Sequence, residues 1–285
     1  MSDTSFKLVK LVLDDLISLI NKKHGANAEK FIEARIKTLS GEYSNLLSDS
    51  REPVDYADPV TRFAYVFSYV AAHSSYVKQR LLSCPELCSL LKKDAEPLRV
   101  ACIGGGPGSE MLGLLQAAMQ VKRKSPLSVW LLDREESWAE TWGEIDERLE
   151  ADFKLSSSFR QADVTNYKTF DNLQKAFSSN LFIFSFFLSE IYSFKESASE
   201  FFVELTKSMP EGALILYIDN SSEKFTMYAE EIFNAGSFEC VHKETKERIF
   251  PSSSEQSSDI EPYKSKFSRT PKVQSHASVR VWRKK

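Results

Sequence analysis

Apolar residues recur along this chain with two different periods, and the change from one to the other divides it. In the first third the spacing is helical. Leu8, Leu11, Val12, Leu16, Leu19 and Ile20 share one face of a first helix, and His24-Gly25 supplies a stop. Phe31, Ile32, Ile36 and Leu39 mark a second helix within 28–47, followed by a polar connection over 48–59 that carries two prolines. A third helix is predicted from Thr61 to Leu82 and a short fourth from Pro85 to Leu91. From Leu98 onward the pattern becomes short apolar runs separated by helical stretches. Val100–Ile103, Ser128–Asp133, Phe159–Val164, Leu181–Leu188 and Ala213–Asp219 read as strands, with helices over Met111–Met119 and Glu223–Ala235. The unbroken run Leu181–Leu188 fits a central parallel strand buried on both faces. Phe238–His242 and Val279–Trp282 add a sixth and a seventh strand. This order predicts an α/β fold: a seven-stranded, mostly parallel sheet with helices on both faces and an N-terminal helical extension. Residues 1–95 are expected to form that extension and to act as a substrate lid. Residues 96–285 form the α/β domain, in which the Ser- and Pro-rich segment 251–277 is expected to be a mobile loop.

Composition narrows the classes. The 285 residues include twenty Phe and are 42% hydrophobic, ample for a large core. A formal net charge of −3 gives no global attraction to nucleic acid or to an anionic membrane. No apolar run approaches the length of a membrane span and no leader pattern is visible, so a cytoplasmic protein is expected, with the nucleus as the alternative compartment. Cys84, Cys88, Cys102 and Cys240 are scattered and match no zinc pattern, so free thiols and no metal are expected.

The densest chemical signal is Cys102-Ile-Gly-Gly-Gly-Pro-Gly-Ser-Glu110, where a strand breaks through glycines into a helix. Such a turn leaves backbone N–H groups pointing at a ligand site. The dinucleotide fingerprint G-x-G-x-x-G fails here because Ser109 stands where glycine or alanine is required. Gly104, Gly106 and Gly108 instead meet G-x-G-x-G. The loop holds no Lys or Arg, as expected of one that neutralises no phosphate. Asp133 ends the second strand and Asp163 the third.

A glycine loop followed by acid, acid and two buried strands resembles the class I S-adenosylmethionine-dependent methyltransferases, whose fold is Rossmann-like. The resemblance implies S-adenosylmethionine as cofactor, held by Gly104, Gly105, Gly106, Gly108 and Glu110. It gives the ribose hydroxyls to Asp133 and the adenine amino group to Asp163. One departure stands out: the family often has an acid two residues before the first glycine, and this chain has Cys102. The loop, together with Leu188-Ser-Glu-Ile-Tyr192 and Asp58-Pro-Val-Thr-Arg-Phe-Ala-Tyr-Val66, is similar to a little-characterised group of animal methyltransferase-like proteins. The loop alone is also similar to fungal enzymes that methylate uridine N3 of large-subunit ribosomal RNA.

Candidate substrate chemistry lies in two places. Tyr65, Tyr69, His73 and Tyr76 fall on one helical face, with Arg62 three residues before the first of them. They could line a pocket or simply pack. After the fourth strand, Glu190 is the candidate general base or amine anchor, supported by Tyr69 and His73, with Arg62, Tyr65 and Tyr192 as substrate contacts. The leading expectation is in-line methyl transfer to a small-molecule nucleophile. An RNA methyltransferase is the alternative, suggested by Lys122-Arg-Lys124 and Arg283-Lys-Lys285. A non-catalytic cofactor-binding partner protein is the third. Composition does not decide the oligomeric state.

Overall fold

The computed structural model describes residues 4–48, 52–141, 153–166, 172–234, 237–252, 255 and 257–285. Helix α1 (Ser5–His24) begins on Thr4, whose hydroxyl accepts the Lys7 N–H, and ends where Gly25 takes φ 55°. Helix α2 (Ala28–Glu42) follows. The predicted third helix runs as α3 (Pro59–Tyr65), a π-helical turn (Val66–Val70) and α4 (Ala71–Ser83). A single widened turn of this kind is an identifiable irregularity, often found beside functional sites. Helix α5 (Pro85–Lys92) leads into the sheet.

The strands are β1 (Leu98–Ile103), β2 (Leu127–Asp133), β3 (Leu155–Gln161), β4 (Leu181–Ser185), β5 (Leu214–Asn220), β6 (Phe238–Ile249) and β7 (Ser275–Lys284). Their order is β3-β2-β1-β4-β5-β7-β6. The first five are parallel, and β7 runs antiparallel to both β5 and β6. The chain moves outward from β1 to β3 and then returns to β4, so a crevice opens at the carboxyl ends of β1 and β4, where ligands bind in such sheets. This is the expected Rossmann-like α/β fold. Connecting helices are α6 (Ser109–Gln120), α7 (Gln174–Phe177), α8 (Leu188–Ile191), α9 (Ser199–Ser208), α10 (Glu223–Asn234) and α11 (Glu261–Phe267).

Alternate residues of β1 serve opposite cores. Val100 and Cys102 pack with the N-terminal helices and α6, while Ala101 and Ile103 pack with α7, α9 and α10. Phe6, Phe63 and Val77 of the N-terminal helices share one apolar cluster with Val100 and Val281 of the sheet. The closest approach is at Gly113 in α6, where an added Cβ would stand 2.4 Å from the Ser74 carbonyl oxygen of α4. Glycine is needed there so that the two helix backbones can meet.

Several boundaries differ from the pattern reading. β3 begins and ends earlier, leaving Asp163 in the turn after it. β4 stops at Ser185, and β6 continues past two register shifts to Ile249. The segment expected as a mobile loop over 251–277 contains α11, with Ile260, Tyr263 and Phe267 buried, and Tyr263 donates to Asp14 Oδ1 at 2.5 Å. Ala235, the expected end of one helix, lies outside the described residues. Among the described residues no helix is long and apolar enough to cross a membrane.

Candidate active site

The loop between β1 and α6 is tied to the neighbouring strand. Gly104 and Gly105 donate N–H bonds to Leu132 O at 2.8 and 3.1 Å, and Gly108 adopts φ 78° as it caps α6. Gly106 donates its N–H to Asp133 Oδ2 at 3.1 Å. A Cβ on Gly106 would stand 2.6 Å from the Asp133 carboxyl and 2.3 Å from the Trp138 ring, so only glycine lets strand-end acid and loop meet. Asp133 also accepts the Glu135 N–H at 3.0 Å. Burial nevertheless dominates and pushes its carboxyl up to about 6. Glu110, in the first turn of α6, is 1% exposed, and its Oε2 has no hydrogen-bond partner. Burial first, then the charges of Asp133 and Glu190, push it up to about 8.

These elements frame a cleft of about 940 Å³ counting its open mouth. Gly104, Asp133, Asp163, Ser185 and Glu190 line it from the sheet side, and Val54, Tyr56 and Tyr65 from the N-terminal segment. Gly105, Gly106, Gly108 and Glu110 are not among the lining residues; they shape the loop from within. Asp163 lines the cleft while its Oδ1 accepts both the N–H and the hydroxyl of Thr165, so it also caps its own turn. A nucleoside-bearing cofactor fits this cleft. The loop presents backbone, Asp133 offers an acceptor at the end of β2, and the unpartnered Glu110 oxygen places a carboxyl group near Cys102.

Glu190 sits on α8, whose start is fixed by the buried Asp219: the Ser189 N–H donates to Asp219 Oδ2 at 2.9 Å. Tyr43 donates its hydroxyl to Glu190 Oε1 at 2.5 Å and is also hydrogen-bonded to the Tyr56 hydroxyl. The rings of Tyr43, Tyr65 and Tyr69 pack with centroids 5.2 to 5.8 Å apart. Burial first and the Glu190 charge second raise all three phenols, Tyr69 to about 12, so they remain protonated. His73 is pushed down to about 3 by burial and by the Lys272 charge, which leaves it neutral. Its ring stacks on Phe186 at 3.9 Å. Phe186, directly after β4, has φ 55°, a strained backbone for a bulky side chain.

Tyr69 and His73 do not line the cleft itself. With Tyr43, Asn220 and Lys272 they wall a second, shallow recess of about 330 Å³ counting its open mouth, with room inside for only a water or two, and Tyr65 and Phe186 belong to both walls. Two candidates lie elsewhere. Arg62 is 3% exposed and donates through Nη1 to the carbonyls of Tyr56 and Ala57, so its guanidinium clasps the segment before α3 and lines neither cavity. Tyr192 packs edge-on against Phe225 and Tyr228 of α10, outside the cleft. The pattern reading missed Tyr43, Tyr56, Phe186 and Lys272. Among the described residues no His, Cys, Asp or Glu cluster could hold a metal ion.

A sheet of order 3-2-1-4-5-7-6 with a glycine loop after β1 and an acid after β2 defines the class I methyltransferase architecture. Residues 61–234, more than half of the chain, match the family described as "Putative SAM-dependent methyltransferase". The chain belongs to this family, and it is an S-adenosylmethionine-dependent methyltransferase. No curated protein matches it. Among solved structures, it is similar to a "putative RNA methyltransferase" from Pyrococcus horikoshii at 15% identity, covering 74% of this chain and 83% of that one, with TM-score 0.41. A "putative sam-dependent methyltransferase" from Streptococcus mutans matches at 13% identity over 68% and 46%, with TM-score 0.41. TrmN from Thermus thermophilus matches at 14% identity over 75% and 53%, with TM-score 0.38. The chain spans about half the length of the last two. These likenesses concern the fold.

Proposed function

We propose that the protein transfers a methyl group to a compact small-molecule nucleophile bound between Glu190 and the tyrosines of the N-terminal helices. The observation that carries this is the shared cleft: Tyr65 and Glu190 line the same cavity as Gly104 and Asp133. The bound cofactor supplies an electrophilic methyl group. In this reading Asp133 holds the ribose hydroxyls, Asp163 lies at the adenine end, and Glu110 with the loop backbone holds the amino-acid end. The Glu190 carboxylate faces the acceptor, oriented by the Tyr43 hydroxyl and by the Asp219 cap under α8. When an amine N–H acceptor is methylated, its proton passes to a Glu190 oxygen. Tyr65 excludes water around the reacting atoms, and Tyr69 packs behind it. His73, neutral and weakly basic, serves as wall instead of base.

The basic stretches give an RNA acceptor little support. Arg123 is buried and donates to the carbonyls of Leu91, Lys93 and Glu96, and Lys284 Nζ is bonded to Thr206 O. The test incubates the protein with methyl-labelled cofactor and fractionated cell extract. Label is expected in compounds of low mass. Glu190→Gln is expected to lower transfer by roughly 10²–10⁴ while leaving S-adenosylhomocysteine affinity within about twofold. Label confined to RNA or protein would overturn the proposal.

A further inference from the structure

Residues 52–58 lead into α3 outside any helix or strand, and only Val54 among the seven is buried. Pro53, Val54 and Tyr56 nevertheless line the cofactor cleft together with Gly104, Asp133 and Asp163. Side chains from other elements fasten the segment. Arg134, the residue after Asp133, donates from Nη2 to Val54 O at 2.7 Å. Arg62 donates from Nη1 to Tyr56 O at 2.8 Å and to Ala57 O at 2.9 Å, and the Tyr56 hydroxyl is bonded to that of Tyr43.

The helices around it are held by different forces. Phe6 of α1, Phe63 of α3 and Val77 of α4 are 1% exposed or less, in one apolar cluster with Val100 and Val281 of the sheet. Lifting any of these helices would return core surface to water. Residues 52–58 can move at the cost of a few hydrogen bonds and the burial of Val54, which places them among the segments that open locally while the fold stays intact. A ligand resting on Gly104, Asp133 and Asp163 would lie between the sheet and this strap.

Resting on the cofactor placement given above, we infer that residues 52–58 are the gate through which S-adenosylmethionine enters and S-adenosylhomocysteine leaves, with Arg134 as its latch. The strap opens for every exchange, so the strength of the latch sets the association and dissociation rates together. A residue that simply held the ligand would act on dissociation. Arg134 is exposed, so replacing it empties no core space. Its charge also lowers the Asp133 carboxyl, so the comparison belongs at pH 8, well above the value of about 6 held by that acid.

Surface plasmon resonance of S-adenosylhomocysteine over the immobilised full chain at pH 8 reads both rate constants. Arg134→Met should raise both by roughly tenfold, as expected for the loss of one charge-assisted hydrogen bond, with Kd within about threefold of wild type. Pro53→Gly, which loosens the strap and leaves the latch in place, should raise both by roughly two- to fivefold. A rise in dissociation alone, or Arg134→Met rates equal to wild type, would overturn the gate. Asp133→Asn binding as tightly as wild type would overturn the cofactor placement and the gate with it.

Discussion

Lowering the pH through 6 should loosen the cofactor's grip through the acid that ends β2. Asp133 accepts N–H bonds from Gly106 and Glu135, yet burial pushes its carboxyl up to about 6. If the carboxylate accepts the ribose hydroxyls, binding needs the ionised form, and protonation competes with it. At pH 7.5 nearly all of the free protein is ionised at this position. At pH 5 only about one molecule in eleven is, so affinity for S-adenosylhomocysteine should fall roughly tenfold, or about 1.4 kcal/mol. Titration calorimetry at the two pH values reads this directly. Near pH 6, binding should also release about half a proton, seen as a heat that varies with the ionisation enthalpy of the buffer. Asp133→Asn should bind more weakly at pH 7.5 by about 1.5–3 kcal/mol and should lose the part of the pH dependence centred near pH 6. Asp219 is also raised to about 6 and lies under α8. A slope in Asp133→Asn as steep as in wild type would therefore point to Asp219 or to Glu110, itself raised to about 8, and refute the assignment, as would equal wild-type affinities at the two pH values.

Two further substitutions test the loop and its support. Glu110 is held near 8 in the folded chain, against an ordinary value of 4.5, so between these limits the native state binds more protons and stability falls as pH rises. Glu110→Gln should remove that slope and melt higher than wild type at pH 8.5, while binding S-adenosylhomocysteine more weakly. Equal melting temperatures for the two proteins at pH 8.5 would count against a buried ionisable Glu110. In Gly113→Ala, better helix propensity contributes about 1 kcal/mol, but a Cβ 2.4 Å from Ser74 O forces α4 and α6 apart. Overpacking of this kind costs typically 1–3 kcal/mol, so urea unfolding should show a net loss of stability, and a gain would refute the close-contact argument.

What the pattern of residues disclosed and what it hid have a common physical cause. The strands, the glycine loop and Asp133 are local features: a buried strand shows as an apolar run, and a ligand loop shows as glycines at fixed spacing. Gly106 was legible as a required glycine, though for a different reason, since its Cβ would strike Asp133 and Trp138 before any ligand. Tyr43 and Tyr56 flank a stretch with no periodicity, and they reach Glu190 only through the packing of α2 and α3 on the sheet. Lys272 is one lysine in a polar segment until its backbone N–H reaches Ser68 O. In the same segment a signal was present and outweighed by the Ser and Pro content, for Ile260, Tyr263 and Phe267 already lie at helical spacing. Arg62 shared the apparent face of the tyrosines, but its guanidinium found the carbonyls of Tyr56 and Ala57.

The widened turn at Val66–Val70 makes helical phase a variable independent of side-chain identity. Tyr65 lies before it and His73 after it, so the turn sets the angle at which the cleft's aromatic wall is rotated against that of the recess. Removing one residue there would restore ordinary helix and swing everything on one side by about 100° and 1.5 Å relative to the other. The Tyr65 ring would leave the boundary between the two cavities, and Ser68 would lose the carbonyl geometry that receives the Lys272 N–H. A lineage of such proteins could therefore exchange one acceptor for another by gaining or losing a single codon, with every pocket residue retained.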